Sequence, residues 1–286
     1  MRSMSAVLLY NTSSGRGHIE SHIEDIKAIF REAGIDIQPK RIDFSKNPFD
    51  ELEGTELVVI CGGDGTINFV INAMKNKGLD LEIGVIPTGT ANDFAGAIGM
   101  NSNIIIAAQQ IAHGKVRRVD CGKVNDKYFV NILSFGVLTT TSQHTSDREK
   151  HIVGRLAYLR TGVVDLLNMH SMPLTIRCNG EEHKFEAVMF LAFNGNSAGQ
   201  FKLAPSSKIE DGMLDILILD YDNTAKTCWN MMHYIINHES GAVHHFRCNK
   251  LEVYCNTEEH TDIDGQPGPQ MPLNIECVAG ALKIKA

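Results

Sequence analysis

The chain has 286 residues, of which 43% are hydrophobic and 21% charged, and this composition argues against disordered, collagen-like and coiled-coil proteins. The length is enough for one large domain or two ordinary ones. The 34 acidic and 27 basic residues give a net charge of −7, which argues against general nucleic-acid binding because such binding depends on neutralising phosphates.

The first third of the chain alternates between strand-like and helix-like segments. Apolar runs predict strands at 6–10, 35–42, 56–60 and 82–86. Apolar residues at helical spacing predict helices at 18–33, 67–77, 94–98 and 104–113. Strands that alternate with helices through short connections form parallel sheets with right-handed crossovers. We therefore expect an α/β domain over residues 1–113.

The pattern changes after Gly114. Extended segments flank Asn125-Asp126 and Asn179-Gly180 as in hairpins, and further extended segments lie at 215–220, 250–255, 260–264 and 272–285. Two helical segments, at about 148–169 and 224–238, interrupt them, and Trp229 with Met231 and Met232 is expected in the core. Residues 114–286 are therefore predicted to form a second, antiparallel β-rich domain.

The cysteines and the N-terminus bear on the compartment. The seven cysteines show no C-x-x-C spacing, which predicts reduced thiols rather than disulfides or a zinc site. The apolar run at 6–10 is too short for a signal peptide, and no apolar stretch approaches the ~20 residues of a membrane span. We expect a cytoplasmic protein.

Three polar, glycine-rich loops each follow a predicted strand directly. They read N-T-S-S-G-R-G at 11–17, G-G-D-G-T at 62–66 and P-T-G-T-A-N-D at 87–93. Because the carboxyl ends of parallel strands meet at one edge of the sheet, these loops should lie together where open α/β folds bind ligands.

The loop at 62–66 carries the strongest signal. Glycines permit positive φ and allow backbone N–H groups to approach an anion, and the N-terminus of the following helix favours phosphate. Thr66 is placed either to cap that helix or to donate to a phosphate oxygen. Asp64 either holds the loop through hydrogen bonds or meets a magnesium ion carried by a nucleotide. The alternative is a tight strand-to-helix turn that binds nothing.

The other two loops are less specific when taken alone. Thr88, Gly89 and Thr90 repeat the design of the first loop, while Asn92 or Asp93 could equally be a plain helix N-cap. The loop at 11–17 is a generic turn or an anion-binding nest.

Together these segments closely resemble the diacylglycerol kinase catalytic-domain family, in its bacterial lipid-kinase branch. Sphingosine and ceramide kinases are related to this family, and NAD kinases are distant relatives. The resemblance continues into E-D-G-M-L-D at 210–215 and D-G at 264–265. It implies an N-terminal α/β nucleotide-binding domain, a C-terminal antiparallel β-sandwich for the lipid substrate, and an active site in the cleft between them.

The resemblance also implies an activity. The protein would transfer the γ-phosphate of ATP, with Mg²⁺, to a hydroxyl of a membrane lipid such as diacylglycerol, as in phospholipid biosynthesis. The residues implied to bind the nucleotide are Asn11, Thr12, Ser13, Ser14, Gly15, Gly62, Gly63, Asp64, Gly65, Thr66, Asn68, Thr88, Gly89, Thr90 and Asn92.

Three aspartates are implied in catalysis. Asp264 would accept the proton of the lipid hydroxyl, while Asp64 and Asp93 would position loops or metal. A hairpin turn is the alternative for Asp264-Gly265.

A structural magnesium site is implied as well. It would use the carboxylate of Asp211 and main-chain oxygens near Lys208 and Met213, and the alternative here is an ordinary turn into the next strand.

Gln266 departs from the family, which usually has Glu there. It leaves open a catalytically impaired nucleotide- or lipid-binding regulator. The G-G-D-G-T element, which NAD kinases share, leaves open a soluble-substrate kinase of the NAD kinase type. A lipid substrate predicts peripheral contact with the inner face of the membrane. The basic helix at about 148–169 is a candidate for that contact, although an ordinary core-facing helix with solvated charges is the more common explanation of such a segment. The sequence leaves a homodimer open.

Overall fold

The computed structural model describes residues 4–12, 19–137, 169–197 and 202–286. They form two compact units: unit 1 comprises Met1–Val119 and Gly280–Ala286, and unit 2 comprises Asp120–Ala279. The sequence placed the boundary at 113, whereas residues 114–119 and the C-terminal seven residues join unit 1 in the structure. The helix expected at about 148–169 lies outside the described residues, except for its last position.

Unit 1 is built on a parallel sheet. Its strands are β1 (Met4–Tyr10), β2 (Ile35–Arg41), β3 (Leu57–Gly62), β4 (Glu82–Pro87) and the end of β15 (Leu273–Lys285). Their order is β15-β4-β3-β1-β2, and each neighbouring pair is parallel. All six residues of β3 are buried, as expected for a strand covered on both faces. The sequence could not show that the last strand returns to this sheet, because that pairing joins residues 200 positions apart.

Helices connect the strands of unit 1. They are α1 (Ile19–Glu32), α2 (Asp64–Asn76), α3 (Asp93–Ala97) and α4 (Ile104–His113). The start of α2 is three residues earlier than predicted, and its N-cap is Gly63. Thr66 therefore lies in the first turn, and the expectation that it caps the helix is wrong. At α4 the Asn103 side chain is the N-cap and accepts hydrogen bonds from two backbone amides.

Unit 2 is an antiparallel β-sandwich-like domain. Its strands are β5 (Val116–Val124, which begins in unit 1), β6 (Lys127–Phe129), β7 (Ile132–Gly136), β8 (Met172–Cys178), β9 (Glu181–Phe193), β10 (Leu214–Asp220), β11 (Val243–Cys248), β12 (Lys250–Cys255), β13 (Thr261–Ile263), β14 (Gln266–Pro267) and the start of β15. The long strand β9 pairs with β8 along its first half and with β7 and β10 along its second. Alternating residues of β9 belong to two apolar clusters, with Phe190 and Ala192 in one and Leu191 and Phe193 in the other, so the clusters pack on its two faces and supply the core.

One helix of unit 2, α5 (Thr224–Asn237), corrects an expectation about the core. Trp229 is 70% exposed and Met232 is 51% exposed, so neither belongs to the core, whereas Met231 is half-buried against it. The helix carries apolar residues on opposite faces, and periodicity alone could not tell which face is covered. None of the described helices is both long and apolar enough to cross a membrane.

Candidate functional site

Two of the predicted loops lie side by side in unit 1. Gly62 at the end of β3 is in register with Pro87 at the end of β4, and the Thr88 N–H donates to the Gly62 carbonyl at 3.0 Å. Beyond this bond the backbones of Gly63 and Gly89 are in contact, because a Cβ added to Gly89 would stand 2.4 Å from the Gly63 Cα. The two strand ends therefore form one continuous backbone surface.

The glycines of this surface serve close packing rather than unusual backbone angles. Gly63 has a φ of −93°, and neither Gly62 nor Gly89 has positive φ. A Cβ on Gly62 would come within 2.5 Å of the Thr66 side chain. The expectation that these glycines supply positive φ is therefore wrong. The expectation that the positions leave no room for a Cβ agrees with the close contacts.

Asn92 closes the second loop with its side chain. Its Oδ1 accepts the Gly89 N–H at 2.8 Å, and its Nδ2 donates to the Gly89 carbonyl at 2.9 Å. Asn92 is also the N-cap residue of α3, in the left-handed conformation at φ 54°, but its side chain makes no capping bond to the helix. The side chain therefore stabilises the loop that precedes α3 instead of the helix.

Asp64 joins the beginnings of two helices. Its Oδ1 accepts the Phe94 N–H at 3.1 Å, which ties the first residue of α2 to the first turn of α3. Burial raises the pKa of Asp64 above its ordinary value, and the neighbouring charge of Asp93 adds to the rise, although the Phe94 hydrogen bond opposes it. Two carboxylates in a crowded site resist ionising together, so the site favours the approach of a cation.

The third loop reaches the same sheet edge from β1. The Asn11 N–H donates to the Cys61 carbonyl at 3.2 Å, and the Asn11 side chain donates to Thr66 Oγ1 at 3.3 Å. Thr12 is described, but Ser13, Ser14 and Gly15 lie outside the described residues, so their predicted contacts stay predictions.

The remaining predicted nucleotide contacts differ in exposure. Thr88 Oγ1 is buried and lies beside the Cys61 thiol, with which it interacts. Asn68 is buried on α2 and accepts from Asn72, whereas Thr90 is exposed. The nucleotide contacts predicted for these three residues therefore stay predictions.

In unit 2, Asp264 and Gly265 form the two-residue turn between β13 and β14. Both have positive φ, at 52° and 82°, and Ile263 pairs with Gln266 across the turn. These values are those of a type I′ hairpin turn, which Asp-Gly favours. The hairpin is thus observed, and it leaves open a chemical role for the Asp264 side chain.

The buried carboxylate of Asp264 accepts three backbone N–H groups. They come from Val130 at 2.7 Å, Asn131 at 3.0 Å and Ile132 at 2.9 Å. This segment separates β6 from β7, within the extended region that the sequence predicts after Asn125-Asp126. Hydrogen bonds of this kind favour the ionised carboxylate, which is the form that accepts a proton.

The sequence analysis missed two buried asparagines beside this segment. The Asn194 side chain, fully buried, donates to the carbonyls of Asp120 and Val130 at 3.0 and 2.9 Å. The Asn131 side chain donates to the Ser197 carbonyl at 2.8 Å. Both side chains therefore tie the segment that donates to Asp264 to other parts of unit 2. The only sequence signal was the polar turn N-G-N after the apolar run of β9.

The proposed magnesium ligand Asp211 is already paired. Its Oδ1 accepts the Met213 N–H at 3.2 Å and its Oδ2 forms an ion pair with Arg247. Arg247 Nε lies 3.5 Å from Oδ2 of Asp215, whose other oxygen meets the His245 Nε2 at 2.7 Å. Lys208 is exposed.

The charges around Asp211 bear on whether a cation fits. Burial acts to raise the pKa of Asp215, but the His245 hydrogen bond and the Arg247 charge hold that pKa below its ordinary value. The Arg247 guanidinium already pairs with Oδ2 of Asp211, so a cation there would have to displace it, and the predicted magnesium site stays a prediction.

Comparisons with known proteins agree with this architecture. Residues 5–124 match the model of the diacylglycerol kinase catalytic domain, and residues 131–286 match that of the YegS C-terminal NAD kinase beta sandwich-like domain. The chain belongs to the diacylglycerol kinase family. It is therefore a phosphotransferase with an alcohol group as acceptor, and the resemblance seen in the sequence is confirmed.

Curated relatives cover nearly the whole kinase. A diacylglycerol kinase of Bacillus subtilis strain 168 is 31% identical over 276 residues, which are 93% of this chain and 91% of the relative. A diacylglycerol kinase of Staphylococcus saprophyticus is 31% identical over 282 residues, covering 94% of this chain and 91% of the relative.

Solved structures share the fold. A crystal structure of a diacylglycerol kinase from Bacillus anthracis strain Sterne superposes with a TM-score of 0.78 at 21% identity, covering 100% of this chain and 97% of that one. A second structure from the same organism gives a TM-score of 0.86 at 23% identity, covering 100% and 96%. Both confirm an α/β unit followed by a β-sandwich-like unit.

Proposed function

We propose that this kinase transfers the γ-phosphate of ATP, with Mg²⁺, to a hydroxyl of a membrane lipid such as diacylglycerol. The observation that carries the nucleotide part is the joined backbone surface of Gly63 and Gly89, which Asn92 and Asp64 hold in place. Backbone amides at strand ends and helix N-termini bind phosphates without a side chain of their own. The curated relatives named diacylglycerol kinase support the lipid part.

Magnesium fits unit 1 better than it fits Asp211. Asp64 and Asp93 lie close enough for their charges to oppose each other, and a Mg²⁺ ion carried by the nucleotide would relieve that repulsion. When bound, the ion offsets the negative charge on the phosphate oxygens. We therefore assign Asp64 and Asp93 to the nucleotide-bound metal and assign no step to a cation at Asp211.

Asp264 is the proposed group that takes the proton of the lipid hydroxyl. An alcohol is a poor nucleophile, and a positioned carboxylate helps by accepting the proton as the phosphoryl group transfers. The three amides that bind Asp264 fix its orientation and favour its charged form. It thus enters the reaction able to accept a proton.

The test is phosphate transfer from radiolabelled ATP to a panel of lipids in mixed micelles, with and without Mg²⁺. We expect a labelled phospholipid product with diacylglycerol and no labelled product with NAD. Calorimetry with ATP and Mg²⁺ measures nucleotide binding separately. Labelling of NAD but of no lipid would favour the soluble-substrate kinase. Absence of heat at millimolar nucleotide would contradict the nucleotide site itself.

A further inference from the structure

Helix α5 presents an uncovered apolar stripe. Trp229, Met232 and Ile236 follow one another at spacings of three and four residues and are 70%, 51% and 69% exposed. Residues at this spacing share one face of a helix. The other described exposed large apolar side chains, Phe44, Ile106 and Val116, lie singly on different elements. The stripe is therefore a patch, and patches of this kind mark interaction surfaces.

The opposite face of α5 anchors the helix to unit 2. Thr227 and Tyr234 are buried, and the Tyr234 hydroxyl donates to the Leu203 carbonyl at 2.9 Å. Thr227 Oγ1 accepts the Asp222 N–H at 3.1 Å, and Asn223 caps the helix by accepting the Lys226 N–H at 3.0 Å. The stripe is thus carried on a fixed helix, and its exposure does not come from a frayed end.

The charge of α5 differs from that of an ordinary surface helix of this chain. Helix α1 has the same 14 residues in length and carries six charged side chains: Glu20, Glu24, Asp25, Lys27, Arg31 and Glu32. Helix α5 carries one, Lys226, and no acidic residue. In a chain with net charge −7, an apolar face without acidic residues is suited to an anionic, apolar surface.

We propose that the Trp229–Met232–Ile236 stripe of α5 inserts into the surface of the lipid bilayer that holds the substrate. This inference rests on the proposed lipid kinase function and names the surface through which the protein would meet the membrane. Tryptophan favours the membrane–water interface, where its ring is partly in hydrocarbon and its N–H remains hydrated.

The area of the stripe favours a membrane over a second copy of the chain. The three side chains offer roughly 400 Å² of apolar surface, judged from the area that large side chains bury. A stable protein–protein interface buries about 800 Å² on each partner. A bilayer has no such threshold, because a few inserted side chains add to the attraction of the headgroups.

Trp229 is the only tryptophan of the chain, so its fluorescence reports on this stripe alone. We expect its emission to shift to the blue on adding phosphatidylcholine vesicles that contain phosphatidylglycerol, and brominated acyl chains to quench it. Emission that is already blue without vesicles and does not change with them would overturn the proposal. In that case another part of the chain or a second copy covers the stripe.

Substitutions test whether the stripe contributes to vesicle binding and to phosphorylation of lipid in vesicles. Ile236→Ser should reduce vesicle binding about 10-fold, because burying one large aliphatic side chain contributes about that factor. Ile106→Ser on α4 is the matched control, an isoleucine 44% exposed on another helix, and should leave vesicle binding unchanged. Phosphorylation of vesicle-embedded diacylglycerol should fall with Ile236→Ser, while that of a short-chain diacylglycerol dissolved as monomers should not.

The outcomes separate the two proposals. Equal loss of activity on vesicle-embedded and monomeric substrate, or a dimer that Ile236→Ser dissociates with vesicle binding intact, would overturn the membrane role of the stripe. If the unmodified protein phosphorylates no diacylglycerol at all, the proposed function fails. Quenching of Trp229 by brominated lipid still decides the membrane inference in that case.

Discussion

Gly63 and Gly89 are in backbone contact across two neighbouring strand ends, with only 2.4 Å between the Gly63 Cα and the position of a Cβ on Gly89. Gly89 is also held by both polar atoms of the Asn92 side chain. Because each loop limits the position of the other, the two strand ends are preorganised before any ligand arrives. Preorganisation of this kind is what allows backbone groups to bind phosphate tightly.

Replacing Gly89 by alanine should weaken nucleotide binding. The new Cβ would meet Gly63 Cα at 2.4 Å and Asn92 Oδ1 at 2.9 Å, so the two loops must separate. We expect about 10-fold weaker binding of ATP by calorimetry, together with about 1–3 kcal/mol lower stability from overpacking. Gly63→Ala should act in the same direction but less, because its Cβ would lie 3.0 Å from the Gly89 Cα.

Gly96→Ala is the matched control for these variants. Gly96 lies in α3, close in sequence to the second loop, and a Cβ there would have no atom within 4 Å. The Gly96→Ala variant should therefore bind ATP as tightly as the unmodified protein, and its stability should be equal or about 0.5–1 kcal/mol higher. If Gly89→Ala bound ATP as well as this control, the loop contact would be irrelevant to the nucleotide.

Asn92 offers a second test of the same loop. Asn92→Gly keeps the left-handed conformation at φ 54° but loses two hydrogen bonds, each contributing about 0.5–1.5 kcal/mol. Asn92→Ala loses the same bonds and adds about 1–2 kcal/mol of backbone strain. Urea unfolding and ATP titration of the two variants separate the effect of the lost hydrogen bonds from the effect of the backbone strain. Equal ATP affinity in Asn92→Gly and the unmodified protein would show that the two Asn92–Gly89 hydrogen bonds do not support ATP binding.

The sequence predicted most elements of both units because apolar residues recur at different spacings in strands and in helices. Buried apolar runs and helical spacings marked β1–β4 and α1–α4, and the N-G turn at Asn179-Gly180 marked the hairpin of β8 and β9. The alignment of two loops at one sheet edge also followed from the parallel arrangement. These features are local, or follow from how neighbouring strands pair.

The features that the sequence did not predict depend on contacts distant along the chain. Asp264 receives amides from a segment more than 130 residues away, and no local pattern marks that segment. The exposure of Trp229 likewise depends on which side of α5 meets the sheet. The pairing of Asp211 with Arg247 is a third such case, because no residue near Asp211 in the sequence indicates that it contacts β11.

Asp264→Asn should separate the chemical from the structural role of this side chain. The amide cannot take a proton, and its Nδ2 would face a backbone N–H that now donates to a carboxylate oxygen. We expect turnover to fall about 10²–10⁴-fold and stability to fall by about 1–3 kcal/mol, with ATP affinity nearly unchanged. Asp262→Asn, in the same hairpin, is the control and should retain turnover. Full activity of the Asp264 variant would place the base elsewhere.

The ion pairs of Arg247 predict how the thermal stability of the protein responds to Mg²⁺. Its guanidinium already meets Asp211 and Asp215, so Mg²⁺ should not raise the thermal stability of the nucleotide-free protein. Arg247→Met should cost about 1–3 kcal/mol, because the buried Asp215 loses a partner, and Mg²⁺ should then stabilise the variant. Arg177→Met, which breaks the exposed pair with Glu182, should cost under about 1 kcal/mol and gain nothing from Mg²⁺.

The opposite magnesium response would support a cation at Asp211. If Mg²⁺ raised the melting temperature of the unmodified protein, and Asp211→Asn removed that rise, the ion would have displaced Arg247. Scanning calorimetry with Mg²⁺ and with a chelator, both without nucleotide, distinguishes these cases because nucleotide-bound metal is absent.

Gln266 is the departure from the family that allows the impaired-regulator alternative to be tested. Its side chain is exposed on β14, so Gln266→Glu should change stability by less than about 0.5 kcal/mol, and any change in rate reports on chemistry. Because Asp264 rather than residue 266 is the proposed base, we expect the unmodified protein to transfer phosphate and the variant to differ by less than about 10-fold. No transfer in the unmodified protein, with transfer appearing in Gln266→Glu under the same lipid and Mg²⁺ conditions, would identify the natural chain as a regulator that has lost its activity.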